Sequence, residues 1–161
     1  MKILFVCTGN ICRSPMGEYL LRNKLIKEGI KDIEIISAGT TDFCVGSSAS
    51  ADAIQVMDKI GIDLKPHIAQ QVSKKLVEES DYIIAMTQYH KDLINMMFYV
   101  ASNKVYMLSE FDSNEDTIYD IPDPYGHDLQ SYYKCRDMIK KVVEQEVFKF
   151  VVVEHELILG G

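Results

Sequence analysis

Residues 7–14 read Cys-Thr-Gly-Asn-Ile-Cys-Arg-Ser and follow directly on the apolar run from Ile3 to Val6. A thiol and a guanidinium separated by five residues suit a tetrahedral dianion. The backbone between them is long enough to curl so that several N–H groups point inward, and a helix starting near Ser14 adds its positive end. Arg13 can donate a two-pronged hydrogen bond to two oxygens of the anion. Gly9 puts no side chain in the way of a tight curl, and Asn10 can brace it by bonding to nearby backbone. Such surroundings favour Cys7 as a thiolate, which is the nucleophilic form. The candidate phosphate cradle is therefore Thr8, Gly9, Asn10, Ile11, Cys12 and Arg13. The chemistry expected is cleavage of a phosphate monoester through Cys7. A cysteine placed after a strand only for packing does not account for Gly9, Asn10, Arg13 and Ser14 together.

Other chemistries fit less well. The loop lacks the glycine-lysine-serine/threonine ending of a nucleotide-binding loop, and its cysteines do not form a C-x-x-C pair. Cys12 lies five residues from Cys7, close enough in a curled loop either for a reversible disulfide that protects Cys7 from deeper oxidation or simply to fill space below the loop. His67, His90, His127 and His155 are scattered without ligand spacing. No metal and no cofactor are expected.

These residues need a scaffold, and the apolar pattern supplies one. Lys2 to Val6, Ile33 to Ile36, Tyr82 to Ala85 and Lys104 to Leu108 read as strands. Segments near 15–28, Ser50 to Ile60, Ser73 to Glu79, Tyr89 to Phe98 and Asp128 to Glu146 read as helices. In the first helix Ser14 sits where a cap belongs, with Pro15 at the first helical position. Met16, Leu20, Leu21 and Leu25 form its apolar stripe. Ser37-Ala38-Gly39-Thr40 is expected to turn away from the end of the second strand. The alternation predicts an α/β fold: a three-layer sandwich with a central four-stranded parallel sheet flanked by helices. Loops after the strands then share one edge, where ligands bind, and the Cys7 loop is the first of them. Glu110 to Gly126 is an acidic loop with two prolines. Residues 1–161 are read as one domain, with 148–161 an uncertain tail that either extends the last helix or forms an extra strand.

With 161 residues the chain can bury a sizeable core. Its net charge of -7 argues against a broad nucleic-acid surface. No leader pattern or spanning segment is visible, so no membrane partner is expected. Four cysteines without a secreted-scaffold pattern fit a reducing, cytoplasmic setting. Oligomeric state is not legible.

The segment C-T-G-N-I-C-R-S-P-M at the extreme N-terminus resembles the low-molecular-weight protein tyrosine phosphatase family. The resemblance continues in S-A-G-T (37–40), A-M-T-Q-Y-H-K (85–91) and D-P-Y-G (123–126), and covers about residues 1 to 147. It implies that Cys7 is the nucleophile and Arg13 the phosphate clamp. Ser14 stabilises the thiolate, Asn10 holds the loop, and Ser37 and His67 support it. Asp123 is the general acid, which then helps deprotonate the hydrolytic water. Phosphorylated proteins are the implied partners and inorganic phosphate the product. The residues themselves make Asp123 plausible, since it precedes a proline and an aromatic in a long loop. Asp112, Glu115, Asp116 and Asp120 compete, with solvated loop charge as the plain alternative.

Specificity divides two branches of that family. A branch that removes phosphate from protein arginine resembles this chain in M-T-x-x-H-K and in the single aromatic before Gly126. That branch carries threonine where this chain has Ile11, whose dry wall better matches the phenyl ring of phosphotyrosine. Tyr125 is expected to stack at the mouth or to anchor the acid loop. Phe43 and Cys44 fall after S-A-G-T, where a second wall is expected, and Phe43 either contacts substrate there or packs its own loop. His67 is followed three residues later by Gln70, where the family often has arginine. His90 is expected to shape the site from outside, and Tyr132 and Tyr133 to lie on the surface of their helix. Arsenate reductase, which needs a cascade of mobile cysteines, and a non-catalytic phosphoprotein-binding module are further readings. Cys44 and Cys135 form no evident cascade pair, and binding alone requires neither Cys7 nor Asp123.

Overall fold

Four residues of β1 (Lys2–Cys7), Ile3 to Val6, are fully buried because the strand has a parallel neighbour on each side. It pairs with β2 (Glu34–Gly39) from Lys2↔Glu34 to Cys7↔Gly39, and with β3 (Tyr82–Ala85) from Ile3↔Tyr82 to Val6↔Ala85. β4 (Val105–Met107) pairs with β3. The computed structural model describes residues 1–99 and 103–161. Within them the sheet is four-stranded and parallel, in the order β2-β1-β3-β4, as the sequence pattern predicts.

Alternate residues of a strand face opposite sides, and here each side is covered. Ile3 and Phe5 pack with α1 (Arg13–Lys27), α2 (Ala51–Asp58) and α5 (Leu129–Val142). Leu4 and Val6 pack with Val77 of α3 (Lys74–Glu79) and Ile94 of α4 (Gln88–Met97). Gly17 lets α1 approach closely: a Cβ there would stand 2.8 Å from the Phe5 ring. The chain leaves β1 for β2 on one side and returns as β3 on the other. That reversal opens a crevice beyond the carboxyl end of β1, where residues 8–12 lie.

Several local expectations are corrected. β2 does not end at Ile36: Ser37, Ala38 and Gly39 continue the ladder opposite Phe5, Val6 and Cys7. Ser14 is not the cap of α1. The helix begins at Arg13 with Cys12 in the cap position, and Ser14 lies inside its first turn. Its hydroxyl is engaged by Cys7 and Asn10 instead. Leu108–Phe111 forms a 3₁₀ turn after β4. The tail is helical. α5 runs through a π turn, Val143–Val147, into α6 (Phe148–Gly160). Val147 and Val151 are buried, and Phe150 packs against Tyr82, Tyr106 and Phe111. The extra-strand alternative fails because these residues meet the core at helical spacing. Among the described residues no helix is long and apolar enough to cross a membrane.

Candidate active site

Residues 8–12 curl with their carbonyls turned outward. The Cys7 carbonyl accepts from Thr40 N–H, Thr8 from Thr41, Ile11 from Ser50 and Cys12 from Met16. The Asn10 carbonyl meets His67 Nε2 at 2.7 Å. The N–H groups of Gly9 to Arg13 have no protein acceptor among the described residues. Outward carbonyls and inward amides make a nest for an anion at the N-terminus of α1.

Asn10 carries the curl. Its φ is +59°, a left-handed conformation that asparagine tolerates better than most residues. Its buried amide donates to Ser14 Oγ at 2.8 Å and to Ser37 Oγ at 2.9 Å, while its oxygen accepts from Gln70 N–H at 3.0 Å. Ser37 passes its own hydrogen to Glu18 at 2.7 Å, and Arg22 pairs with the same carboxylate. Burial raises the pKa of Glu18 against these bonds. Ser14 Oγ lies 2.9 Å from Cys7 Sγ. Because Ser14 already accepts from Asn10, its hydrogen is available to a Cys7 thiolate.

Gly39 is the glycine this loop cannot replace. A Cβ there would stand 2.5 Å from the Thr8 carbonyl oxygen and 3.2 Å from Asn10 N. Gly9 is less critical, since a Cβ there would meet the Cys44 sulfur at 3.2 Å. Gln70, in place of an arginine, bonds the Ser37 carbonyl through its side chain and Asn10 through its backbone.

Arg13 is 4% exposed. Nη1 donates to the Ile121 carbonyl at 3.0 Å, and Nη2 lies 3.5 Å from both Thr8 Oγ1 and Asp123 Oδ2. The Asp123 loop is thus tied to the Cys7 loop through the arginine. Ile121 N–H also bonds the Met86 carbonyl, and Asp120 accepts from Gln88 N–H at the start of α4. Asp120 is therefore an anchor for the start of α4 and is not among the residues that line the cavity over Cys7. Asp112 is buried and accepts from Tyr119 at 2.6 Å, which holds its pKa down. Asp123 alone of the acidic candidates lines the cavity, and it accepts from Tyr125 N–H.

The cavity holds about 310 Å³ and opens over Cys7. Ile11, Phe43 and Tyr125 line it, together with Cys44, which the segment after S-A-G-T was expected to bring there with Phe43, and Thr41, which the sequence reading did not place there. Phe43 is 86% exposed, so it rims the mouth and does not pack its own loop.

Cys12 lies beneath, with Ser50 Oγ at 3.2 Å and Tyr132 OH at 3.6 Å. Burial pushes its thiol up to about 11. Tyr132 is accordingly a buried residue and not a surface one, whereas Tyr133 is half-buried under the Arg136 guanidinium. Burial also lowers the pKa of His67.

Residues 2–154 match the family model described as low molecular weight phosphotyrosine protein phosphatase. A low-molecular-weight protein-tyrosine-phosphatase of Acinetobacter johnsonii is 40% identical over 142 residues, covering 88% of this chain and 92% of its own. A protein-arginine-phosphatase of Geobacillus stearothermophilus is 38% identical over 144 residues, covering 89% and 92%. The crystal structure of a low-molecular-weight protein tyrosine phosphatase from T. tengcongensis superposes with a TM-score of 0.85 at 33% identity, covering 92% of this chain and 99% of that one.

Gly39→Ala should displace Thr8 to Asn10 and cut the rate of aryl phosphate hydrolysis by about a hundredfold, an effect of about 3 kcal/mol. Steady-state kinetics check this, and an unchanged rate would mean that the loop tolerates the shift. A second outcome concerns His90, which is 1% exposed and faces Arg13, Asp120 and Asp123. Burial, helped by the Arg13 charge, lowers its pKa from 6.5 to about 4. Between those values the unfolded chain binds a proton that the folded chain refuses, so stability falls as pH falls, by at most about 1.4 kcal/mol per unit. The stability of wild type minus that of His90→Gln, from urea melts, should therefore shrink as pH drops from about 6.5 to about 4.5. A flat difference would contradict a buried, neutral His90.

Proposed function

The chain belongs to the low-molecular-weight phosphotyrosine protein phosphatase family, and from that premise we propose that it hydrolyses phosphotyrosine in proteins through a cysteinyl-phosphate intermediate. The phosphate sits on the N–H groups of Gly9 to Arg13 and on the Arg13 fork. The Cys7 thiolate attacks phosphorus, forming an S–P bond as the ester P–O bond breaks. Asp123 gives its proton to the departing phenolic oxygen. The same carboxylate then takes a proton from water as that water attacks phosphorus. Inorganic phosphate leaves, and Cys7 returns as a thiolate held by the Ser14 hydroxyl. The clustering of Cys7, Arg13 and Asp123 on one cavity carries this reading.

The walls support an aromatic substrate. Ile11, Phe43 and Tyr125 offer apolar and ring surfaces around the opening. A phosphorylated guanidinium would need hydrogen-bond acceptors along its N–H edge, and the side-chain oxygens that line the cavity are those of Asp123 and the Thr8, Thr41 and Tyr125 hydroxyls, with Asp123 the one carboxylate among them. The arginine reading draws on the similarity to the arginine phosphatase of G. stearothermophilus. Cys12, buried at the base of the loop, is taken as the thiol that traps an oxidised Cys7. Its depressed acidity makes that step slow near neutral pH.

Asp123→Asn should slow hydrolysis of a phenyl phosphate with a basic leaving group by about a hundredfold or more and one with an acidic leaving group far less. Equal slowing across leaving groups would remove Asp123 from the acid role. On matched peptides, wild type should favour phosphotyrosine over phosphoarginine in kcat/KM. Ile11→Thr should narrow that ratio by roughly tenfold, the worth of one apolar contact. A wild type faster on phosphoarginine would overturn the specificity.

A further inference from the structure

His90 reaches the phosphate cradle through one intervening hydroxyl. Thr8 Oγ1 lies 2.8 Å from His90 Nε2 and 3.5 Å from Arg13 Nη2. On the far side of the ring, His90 Nδ1 lies 2.9 Å from Thr87 Oγ1. Thr87 is the N-cap of α4, and its oxygen also accepts from His90 N–H at 3.2 Å. Backbone and side chain of His90 are thus fixed by the same residue, and the ring is aimed at Thr8.

The direction of these bonds follows from what each group can do. A guanidinium only donates, so Thr8 Oγ1 accepts from Arg13 and keeps its own hydrogen to give. A cation beside Thr8 repels an N–H dipole pointed toward it and attracts a lone pair. The imidazole therefore turns its unprotonated Nε2 toward Thr8 and holds its hydrogen on Nδ1, toward Thr87. Every bond in the chain then runs away from the charge: Arg13 to Thr8, Thr8 to His90, His90 to Thr87. Such a run is mutually strengthening.

We propose that His90 is a positioning residue for phosphate binding: neutral and protonated on Nδ1, it draws the Thr8 hydroxyl hydrogen away and turns the Thr8 oxygen onto Arg13. The guanidinium is then held from two directions, by Thr8 on one side and by the Ile121 carbonyl at 3.0 Å on the other. Arg13 has few other fixed partners, since the Asp123 side chain is half-exposed and its loop carries the proton traffic. The inference rests on the reading of Arg13 as the phosphate clamp. It gives the threonine and histidine of the loop and of the A-M-T-Q-Y-H-K segment a common purpose.

Inorganic phosphate is the probe, with its Kd measured by calorimetry in a Cys7→Ser background. His90→Ala should raise that Kd about tenfold, the worth of one hydrogen bond to a charged group, and His90→Gln, which keeps an acceptor, should recover part of the loss. In a Thr8→Val background, His90→Ala should change the Kd by less than about twofold, because the route through the hydroxyl is already cut. A residue with only a packing role would lower the melting temperature and leave the Kd alone, and an unchanged Kd, or an equal loss with and without the Thr8 hydroxyl, overturns the proposal. Arg13→Lys in the same assay tests the underlying reading separately. Binding that survives Arg13→Lys sinks the clamp, whereas binding lost there but kept in His90→Ala sinks only the role of His90. If the His90 variants do not fold, ¹⁵N correlation spectra of the wild-type imidazole decide the matter, with an Nδ1–H tautomer expected and an Nε2–H tautomer refuting it.

Discussion

The left-handed backbone of Asn10 is the constraint on which the site depends. A loop that offers five successive N–H groups to an anion must turn its carbonyls the other way, and that reversal is made at one residue with φ of +59°. Asparagine carries a modest intrinsic cost there, so the conformation must be imposed from outside. Its side-chain amide donates to Ser14 and Ser37 and accepts from the Gln70 N–H, its backbone carbonyl bonds His67, and these four bonds impose it. All are buried or nearly so, where an unpaired polar group costs about 1–3 kcal/mol. The network therefore has to close completely. It closes on Glu18, a buried carboxylate that accepts from Ser37 and pairs with Arg22. The order that runs from Arg22 to the Ser14 hydroxyl is thus set before any substrate arrives.

A second set of bonds joins this loop to the Asp123 segment. Arg13 donates to the Ile121 carbonyl, Ile121 donates to Met86 at the end of β3, and Asp120 takes the Gln88 amide. The loop from residue 110 to 126 is long, yet it is fixed on both sides of Ile121, two residues before Asp123. The Asp123 carboxyl itself is half-exposed. This arrangement suits a group that must exchange a proton with a leaving oxygen and then with water. A rigid neighbour sets its position while its own solvation stays adjustable.

Much of this was legible in sequence because it is local. The strand-loop-helix order, the cysteine-arginine spacing and the 3.6-residue stripe of α1 all lie within one short segment and need no partner to be read. The errors are of one kind. Ser14 looks like a cap because local spacing says so, but its hydroxyl is claimed by Cys7 and Asn10. Ser37 to Gly39 looks like a turn because of its glycine, but the glycine is there so that Thr8 can approach the strand end, a contact 31 residues distant. Tyr132 looks like a surface residue because Tyr-Tyr in a polar helix reads that way, but its hydroxyl reaches Cys12 across the interface between α1 and α5. Asp123 is set apart from Asp120 in sequence by the proline and aromatic that follow it, and the α4 amide that occupies Asp120 adds the separation that sequence cannot show.

The same distinction bears on specificity. Read along the chain, Ile11 stands out because it lies inside the motif. Read in space, it is one wall among several, for Thr41, Phe43 and Cys44 come from the segment after β2, and Tyr125 from the acid loop. On the proposed function a substrate side chain would pass Ile11, which belongs to the loop that holds the phosphate, and then Phe43 and Tyr125, which are exposed at the mouth. On the proposed function residue 11 would bear on the atoms next to the phosphate, and the later segments on the remainder of the side chain. Discrimination between a phenol and a guanidinium depends on both regions, since the two substrates differ in charge at one depth and in ring surface at another. Segments far apart in the chain are held in one mouth by the sheet edge, so specificity here is a property of the fold as much as of the motif.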